Sequence, residues 1–403
     1  MSSLNWKLWA RFSRYGAAAA LLGLGLFAGA ARADINSGLA LHGFLDTYYG
    51  YTNEVNDPRG DSGFHLGTLD LYLNPQITDR IRSLAEMVVE FDDWYGNGQP
   101  SIDVERLQIG YQFTDGLTLW MGRFHTPYGW WNTAYHHGAE IQPTVLRPQF
   151  IAFEDHGGIL PSHTDGLWAN GHQNAGELGR FTYDLFMGNG SRNLINDAIT
   201  SGPKYAGQLD MNNGGDDNWQ TAAGFRFGYE FRGGALDTLW VGIHGLREEV
   251  VTYDPAIATS SNLVSYNGGI AASMLQMRGA FMHWAPGDWE WMAEYYGFDN
   301  HAYVHPGEES PIGRSSYAWY AQGGYTLQGR YTPYARYEKT SFNQQDDYFY
   351  YIQGGQSYAR SLIGLRYDIN PQTALKLDGG HTNATTNGGQ SYNEAHFQLA
   401  VRF

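Results

Sequence analysis

The chain has 403 residues, a net charge of −16, 52 Gly and no Cys, with 42% hydrophobic and 15% aromatic side chains. The acidity excludes a nucleic-acid-binding surface as the organising feature. The lack of cysteine removes disulfides, thiol catalysis and thiolate metal sites. Apolar residues spread singly, with a mean hydropathy of −0.44, exclude a bundle of membrane-spanning helices, which needs repeated apolar runs of about 20 residues.

In chain order, the first feature is a basic start (Lys7, Arg11, Arg14), an apolar stretch from Ala17 to Ala30, and the small-residue pattern Ala31-Arg32-Ala33 before Asp34. This predicts a signal peptide over 1–33, cleaved after Ala33, and therefore an exported protein; an uncleaved membrane anchor is the alternative. Losing Lys7, Arg11, Arg14 and Arg32 moves the net charge from −16 to −20.

From there to the end, apolar and polar residues alternate in short segments. Leu69, Leu71 and Leu73 alternate with Asp70 and Tyr72. Met87 and Val89 alternate with Glu86 and Glu90, and Leu107, Ile109, Tyr111 and Phe113 with Arg106, Gln108 and Gln112. Phe225, Phe227 and Tyr229 alternate with Arg226 and Glu230, Ile363 and Leu365 with Arg366, and Phe397, Leu399 and Val401 with Gln398 and Arg402. A period of two predicts strands. Charges confined to one face predict a closed sheet with a wet interior, and aromatics at strand ends predict girdles at a membrane boundary. Short connectors at Asn74–Asp79, Thr114–Gly116, Asn174–Gly179, Arg232–Asp237, Ala285–Asp288, Gln328–Pro333 and Asn370–Gln372 carry turn residues. They interleave with longer connectors near 52–63, 95–101, 126–163, 190–216, 252–268, 300–314, 341–356 and 382–391. The expectation is an all-β, transmembrane, antiparallel up-and-down barrel of about 16 strands over 34–403, with an aqueous interior.

The segments Gly43-Phe44-Leu45-Asp46-Thr47-Tyr48-Tyr49, Gly122-Arg123-Phe124-His125-Thr126-Pro127-Tyr128-Gly129 and the terminal Val401-Arg402-Phe403 resemble those of proteobacterial outer-membrane β-barrel porins. The resemblance implies passive uptake of small hydrophilic solutes, outer-membrane lipids as surroundings, and Phe403 as the signal read by the barrel-assembly machinery; a homotrimer is one further expectation.

The connector at 126–163 is the outstanding irregular segment, and connectors of this length are usually functional. It is the candidate constriction loop, with an outer cap as the alternative. Pore-lining candidates are Arg106, Arg123, Arg226, Arg278, Arg336, Arg360 and Arg366 against Glu86, Glu90 and Glu230, with Glu140, Glu154 and Asp155 from the loop. They are read either as a transverse field that orients solutes or as cross-strand ion pairs that stabilise the wall. His136, His137 and His156 offer imidazoles without metal-ligand spacing, so no metal or other cofactor is expected. No nucleophile elbow, phosphate loop or zinc-protease motif occurs, and no enzymatic activity is expected. The function read from the sequence is a porin with a modest cation preference. The alternatives are a substrate-specific uptake channel, possibly for metal complexes, an outer-membrane barrel enzyme, or a scaffold for an electron carrier.

Overall fold

A computed structural model describes residues 41–54, 62–91, 100–152, 158–193, 209–210, 221–252, 264–266, 269–301, 303–305, 308–309, 313–343, 345–346, 348–349, 355–385 and 389–403. The signal-peptide expectation over 1–33 and the loop residues Glu154, Asp155 and His156 lie outside them.

Sixteen strands form the wall: β1 Leu41–Thr52, β2 Ser62–Leu73, β3 Ile81–Glu90, β4 Ser101–Thr114, β5 Leu117–His125, β6 His163–Asn174, β7 Gly179–Gly188, β8 Ala222–Phe231, β9 Trp240–Thr252, β10 Gly269–Trp284, β11 Trp289–Asn300, β12 Arg314–Tyr325, β13 Tyr331–Ser341, β14 Tyr358–Asn370, β15 Thr373–Ala384 and β16 Ser391–Arg402. Each pairs antiparallel with its chain neighbour, and β16 pairs with β1 in the register Leu45↔Val401, Thr47↔Leu399 and Tyr49↔Phe397, which closes the sheet. Closure leaves no edge strand among the described wall strands, so each pairs with a neighbour on both sides.

Strand alternation follows the sequence on the outer face. Leu107 is 61% exposed, Met121 70% and Ile363 69%. Aromatic contacts gather at the short-turn rim: Tyr111 with Phe113, Phe181 with Tyr229, Trp289 with Trp291 and Tyr325, and Tyr331 with Tyr367. An apolar belt edged by aromatic rings is what an acyl-chain layer and its interface favour.

The inner face is not uniformly polar, contrary to the wet interior expected. On the flank from β5 to β12 it carries Phe124, Phe186, Leu246, Leu275, Met277, Met292, Tyr296, Phe298 and Tyr320, which join the loop residues Tyr128, Trp131, Phe150, Ile151, Ile159 and Leu160 in one apolar cluster. On the remaining flank it carries Asp46, Asp70, Glu86, Arg336, Glu338, Arg360, Lys376, Asp378, Glu394 and Gln398, all buried. The difference corrects two sidedness assignments. Arg123 alternates with buried Phe124 and is in register with outward Leu107. Arg278 alternates with buried Met277, and its side chain is 79% exposed, 3.7 Å from Asp299. Both therefore stand on the outer face. Where a loop supplies apolar packing from inside, apolar residues claim the interior and the rule that charges point inward inverts.

Candidate functional site

The interior is organised around the connector between β5 and β6. It begins with a bend at Thr126–Trp130 and a single helical turn, Trp131–Ala134. The turn is too short to hold itself in water, and its fixation comes from the wall. Buried Glu294 accepts from Trp131 N at 2.7 Å and from Tyr320 Oη at 2.8 Å, and also from Tyr296 Oη. Arg226, paired with Asp184 at 2.8 Å, donates to Gly129 O at 2.9 Å and to Thr133 Oγ1 at 2.7 Å.

The chain then crosses to the polar flank, where wall charges take hold of its backbone. Asp70 Oδ2 accepts from Gly138 N at 2.8 Å, Asp378 Oδ2 from Val145 N and Leu146 N at 3.1 Å each, and Glu338 Oε2 from Gln149 N at 2.7 Å. Cations grip its carbonyls. Arg336 donates to Leu146 O at 2.8 Å and Arg147 O at 2.9 Å. Arg366 donates to Gln142 O at 3.0 Å and to Glu140 O, and Lys376 to Ala139 O. Charged groups bonded to backbone dipoles inside a low-dielectric space make stronger contacts than neutral pairs do. The loop is thus seated inside the barrel by its own amides and carbonyls, which no alternation pattern encodes.

The predicted pore-lining residues divide by what they hold. Arg226, Arg336 and Arg366 bind the loop. Arg106 pairs with Glu86. Arg360 lies 2.6 Å from Glu394 and 3.5 Å from Glu338. Glu140 meets Arg366 at 3.0 Å and Arg402 at 3.3 Å. Glu230 pairs with Arg180 at 2.5 Å near the short turns, and Glu90 accepts from Ser101 at 3.3 Å. Phe403 exchanges backbone hydrogen bonds with Gly43 at 3.0 Å, sealing the seam between the last and first strands.

Between the loop and β1, β2, β14 and β16 a cavity of about 240 Å³ remains. Asp46, Glu54, Glu90, Arg147, Arg360, Glu394, His396 and Gln398 line it. Carboxylates outnumber guanidinium groups there.

A second constellation lies where the loop leaves the wall. A β-bulge breaks the pairing of β3 with β4: Glu86 is opposite Arg106 and Met87 opposite Val104, so Glu105 has no register partner on β3. The extra residue turns the Glu105 carboxylate inward. His125 ends β5 and His163 opens β6, directly opposite each other. His136 and His137 come from the loop. From Glu105 Oε2 the Nε2 atoms of His163, His137 and His136 are 2.6, 2.8 and 3.5 Å away. Burial resists protonation of His136, and neighbouring His137 adds to this, holding its pKa well below the usual imidazole range. Burial resists protonation of His137 as well, but Glu105, Asp70 and Glu86 outweigh it and push its pKa up to about 10. Of the three histidines the sequence singled out, His136 and His137 belong here. Glu105, His125 and His163 were missed: the bulge and the strand-end pairing that gather them follow from register, not from spacing.

No family model and no curated protein matches the chain. Solved structures do match in fold. An anion-selective porin from Comamonas acidovorans is 12% identical with a TM-score of 0.57, covering 91% of this chain and 99% of its own. The outer membrane channel DcaP of Acinetobacter baumannii is 12% identical at a TM-score of 0.55, covering 91% and 97%. An in-vitro folded OmpT, an outer membrane protein of Vibrio cholerae in a trimer form, is 13% identical at 0.53, covering 91% and 99%. The chain has the fold of outer-membrane porins.

Proposed function

We propose that the protein is an outer-membrane channel through which small hydrophilic solutes diffuse. The observation that carries this reading is the seated loop: it fills one flank of the barrel and leaves a charged, polar-lined cavity along the other. A loop held by this many wall contacts narrows a bore without moving in and out of it. No bond chemistry is required, because the lining residues pair with one another or with the loop backbone. The surroundings are outer-membrane lipids facing the apolar belt, the export route is the signal peptide over 1–33, and the insertion route is the barrel-assembly machinery acting through Phe403. A homotrimer is the proposed assembly, in line with the trimer form of the Vibrio cholerae neighbour.

The proposed selectivity is a modest preference for cations. Low-dielectric walls focus the field of charges at the narrowest point, and Asp46, Glu54, Glu90 and Glu394 outnumber Arg147 and Arg360 around the cavity. Screening shortens to about 3 Å at 1 M salt, so the preference weakens as salt rises. The test is the zero-current potential of a planar bilayer holding the purified protein under a KCl gradient. A cation-selective sign at low salt that fades at high salt is expected. An anion-selective sign would assign the narrowest point to the arginines, and absence of any conductance from correctly folded protein would remove the channel reading.

A further inference from the structure

We infer that Glu105, His125, His136 and His163 form a binding site for a first-row divalent metal ion, with zinc the simplest occupant, that staples the inward loop to the barrel wall. One ligand atom from each lies within 4.8 Å of every other, and all four residues are buried. Three imidazole nitrogens and one carboxylate oxygen are a donor set that zinc takes up readily, in tetrahedral geometry with bonds of about 2.0–2.2 Å. Such bonds place donor atoms about 3.3 Å apart. The Glu105 to His136 separation is already 3.5 Å, and closing the widest pair takes about 1.5 Å of side-chain movement by the same geometry.

The surroundings orient the rings for this task. Asn132 Nδ2 donates to Thr126 O at 2.7 Å and Ser162 O at 3.1 Å, which turns its Oδ1 toward His136. His136 Nδ1 lies 2.9 Å from that oxygen and must donate to it. Neutral His136 then carries its lone pair on Nε2, directed at Glu105. His163 Nδ1 has Ser162 Oγ at 3.3 Å, leaving its Nε2 facing the same point. An outer partner on the far nitrogen is how proteins hold a metal-binding imidazole. His125 Nε2 is buried, 3.7 Å from Glu86 Oε2 and without a hydrogen bond among the described residues.

The bland alternative is a hydrogen-bonded histidine cluster, and electrostatics disfavour it. Ring centroids of His136 lie 4.0 Å from His125 and 4.6 Å from His163. If the three rings are protonated, like charges crowd a buried space. If they are neutral, His163 can donate Nε2–H to Glu105, as His137 also can, but His136, fixed by Asn132 with its lone pair on Nε2, still directs that lone pair at the same carboxylate oxygen. A divalent cation at the centre resolves both cases. Four protein donors make a closed, structural site instead of an open catalytic one. Because His125 and His163 sit at the two roots of the loop, the ion joins those roots to β4 and to the loop just past its helical turn.

The inference stands apart from the channel reading, and its test reads metal content, not current. Untagged barrel, refolded after removal of metal with EDTA, is dialysed against zinc and then against a competing chelator, and zinc per chain is measured by mass spectrometry. One zinc per chain is expected in the parent. At least 100-fold weaker retention is expected in the triple variant His125→Ala, His136→Ala, His163→Ala. Asn132→Ala should weaken binding by about 10–100-fold at unchanged stoichiometry, as loss of an outer-shell partner does. Heat-modifiable migration confirms that each variant forms a barrel. If the triple variant does not, Glu105→Gln and His163→Gln, each with at least tenfold weaker zinc, carry the same test. Cobalt in place of zinc should give the intense visible bands of a tetrahedral N3O site in the parent alone. A folded parent that retains no zinc, or variants that retain as much as the parent, would overturn the assignment.

Discussion

The two flanks of the barrel interior solve the same problem in opposite ways. From β5 to β12 the loop is held by apolar burial: Tyr128, Trp131, Phe150, Ile151, Ile159 and Leu160 pack on Phe186, Met277, Tyr296 and Tyr320 as in the core of a soluble domain. From β13 round to β4 it is held by ions and dipoles, with Arg336, Arg366, Lys376, Asp70, Glu338 and Asp378 on its backbone. The apolar flank excludes water and supplies most of the free energy of seating, since each fully buried large apolar side chain contributes about 1.5–3 kcal/mol. The polar flank sets where the loop stops, and so the shape and charge of the space beside it.

That division predicts a ranking. Trp131→Ala removes the largest fully buried side chain of the loop and leaves Arg336, whose guanidinium lies 6.0 Å over it, without its face. A loss of about 3–5 kcal/mol is expected, read as a fall in the denaturation midpoint and as new proteolytic cleavage within 126–163. An intact loop in this variant would show that the polar flank, not the apolar one, does the seating. Next, Glu294→Ala strands the Trp131 amide and the Tyr320 hydroxyl in a buried space. About 1–3 kcal/mol should be lost, while Glu294→Gln, which keeps one acceptor, should lose less in the same melts.

On the polar flank, Arg336→Met should cost less stability but should raise single-channel conductance, because Leu146 and Arg147 lose their anchor beside the cavity. Unchanged conductance would mean that the neighbouring amide contacts to Asp378 suffice. Glu394→Gln leaves buried Arg360 beside the cavity with only Glu338 as an ionic partner among the described residues. Its reversal potential under a KCl gradient should move toward anions, and because the broken pair is buried while Gln keeps one acceptor for the guanidinium, melts should show a loss of about 1–3 kcal/mol. Deleting Phe403 should touch neither flank. It should lower the yield of heat-modifiable barrel and leave export intact, as gel densitometry of the membrane fraction would show.

Part of this architecture is legible in the sequence alone. The period of two at Leu107–Phe113 and Ala395–Phe403 placed strands and their outer faces. The turn residues at Thr114–Gly116 and Asn370–Gln372 placed the short rim. These signals are local: a strand in a membrane barrel must turn apolar side chains to lipid at every second position, and the sequence itself carries that constraint.

What only the tertiary structure decided is which charges meet what. Arg123 and Arg278 are pore-lining candidates in the sequence, yet Phe124 and Met277 hold the interior because the loop offers them apolar partners. Glu105 carries no mark in the sequence that distinguishes it from Arg106, and a one-residue bulge directs it among histidines that lie 20 to 58 positions further along. Register across strands and the path of a long loop are long-range properties. They depend on which of many charge pairings and apolar contacts close together in space, so composition and periodicity determined the barrel while packing alone decided its interior.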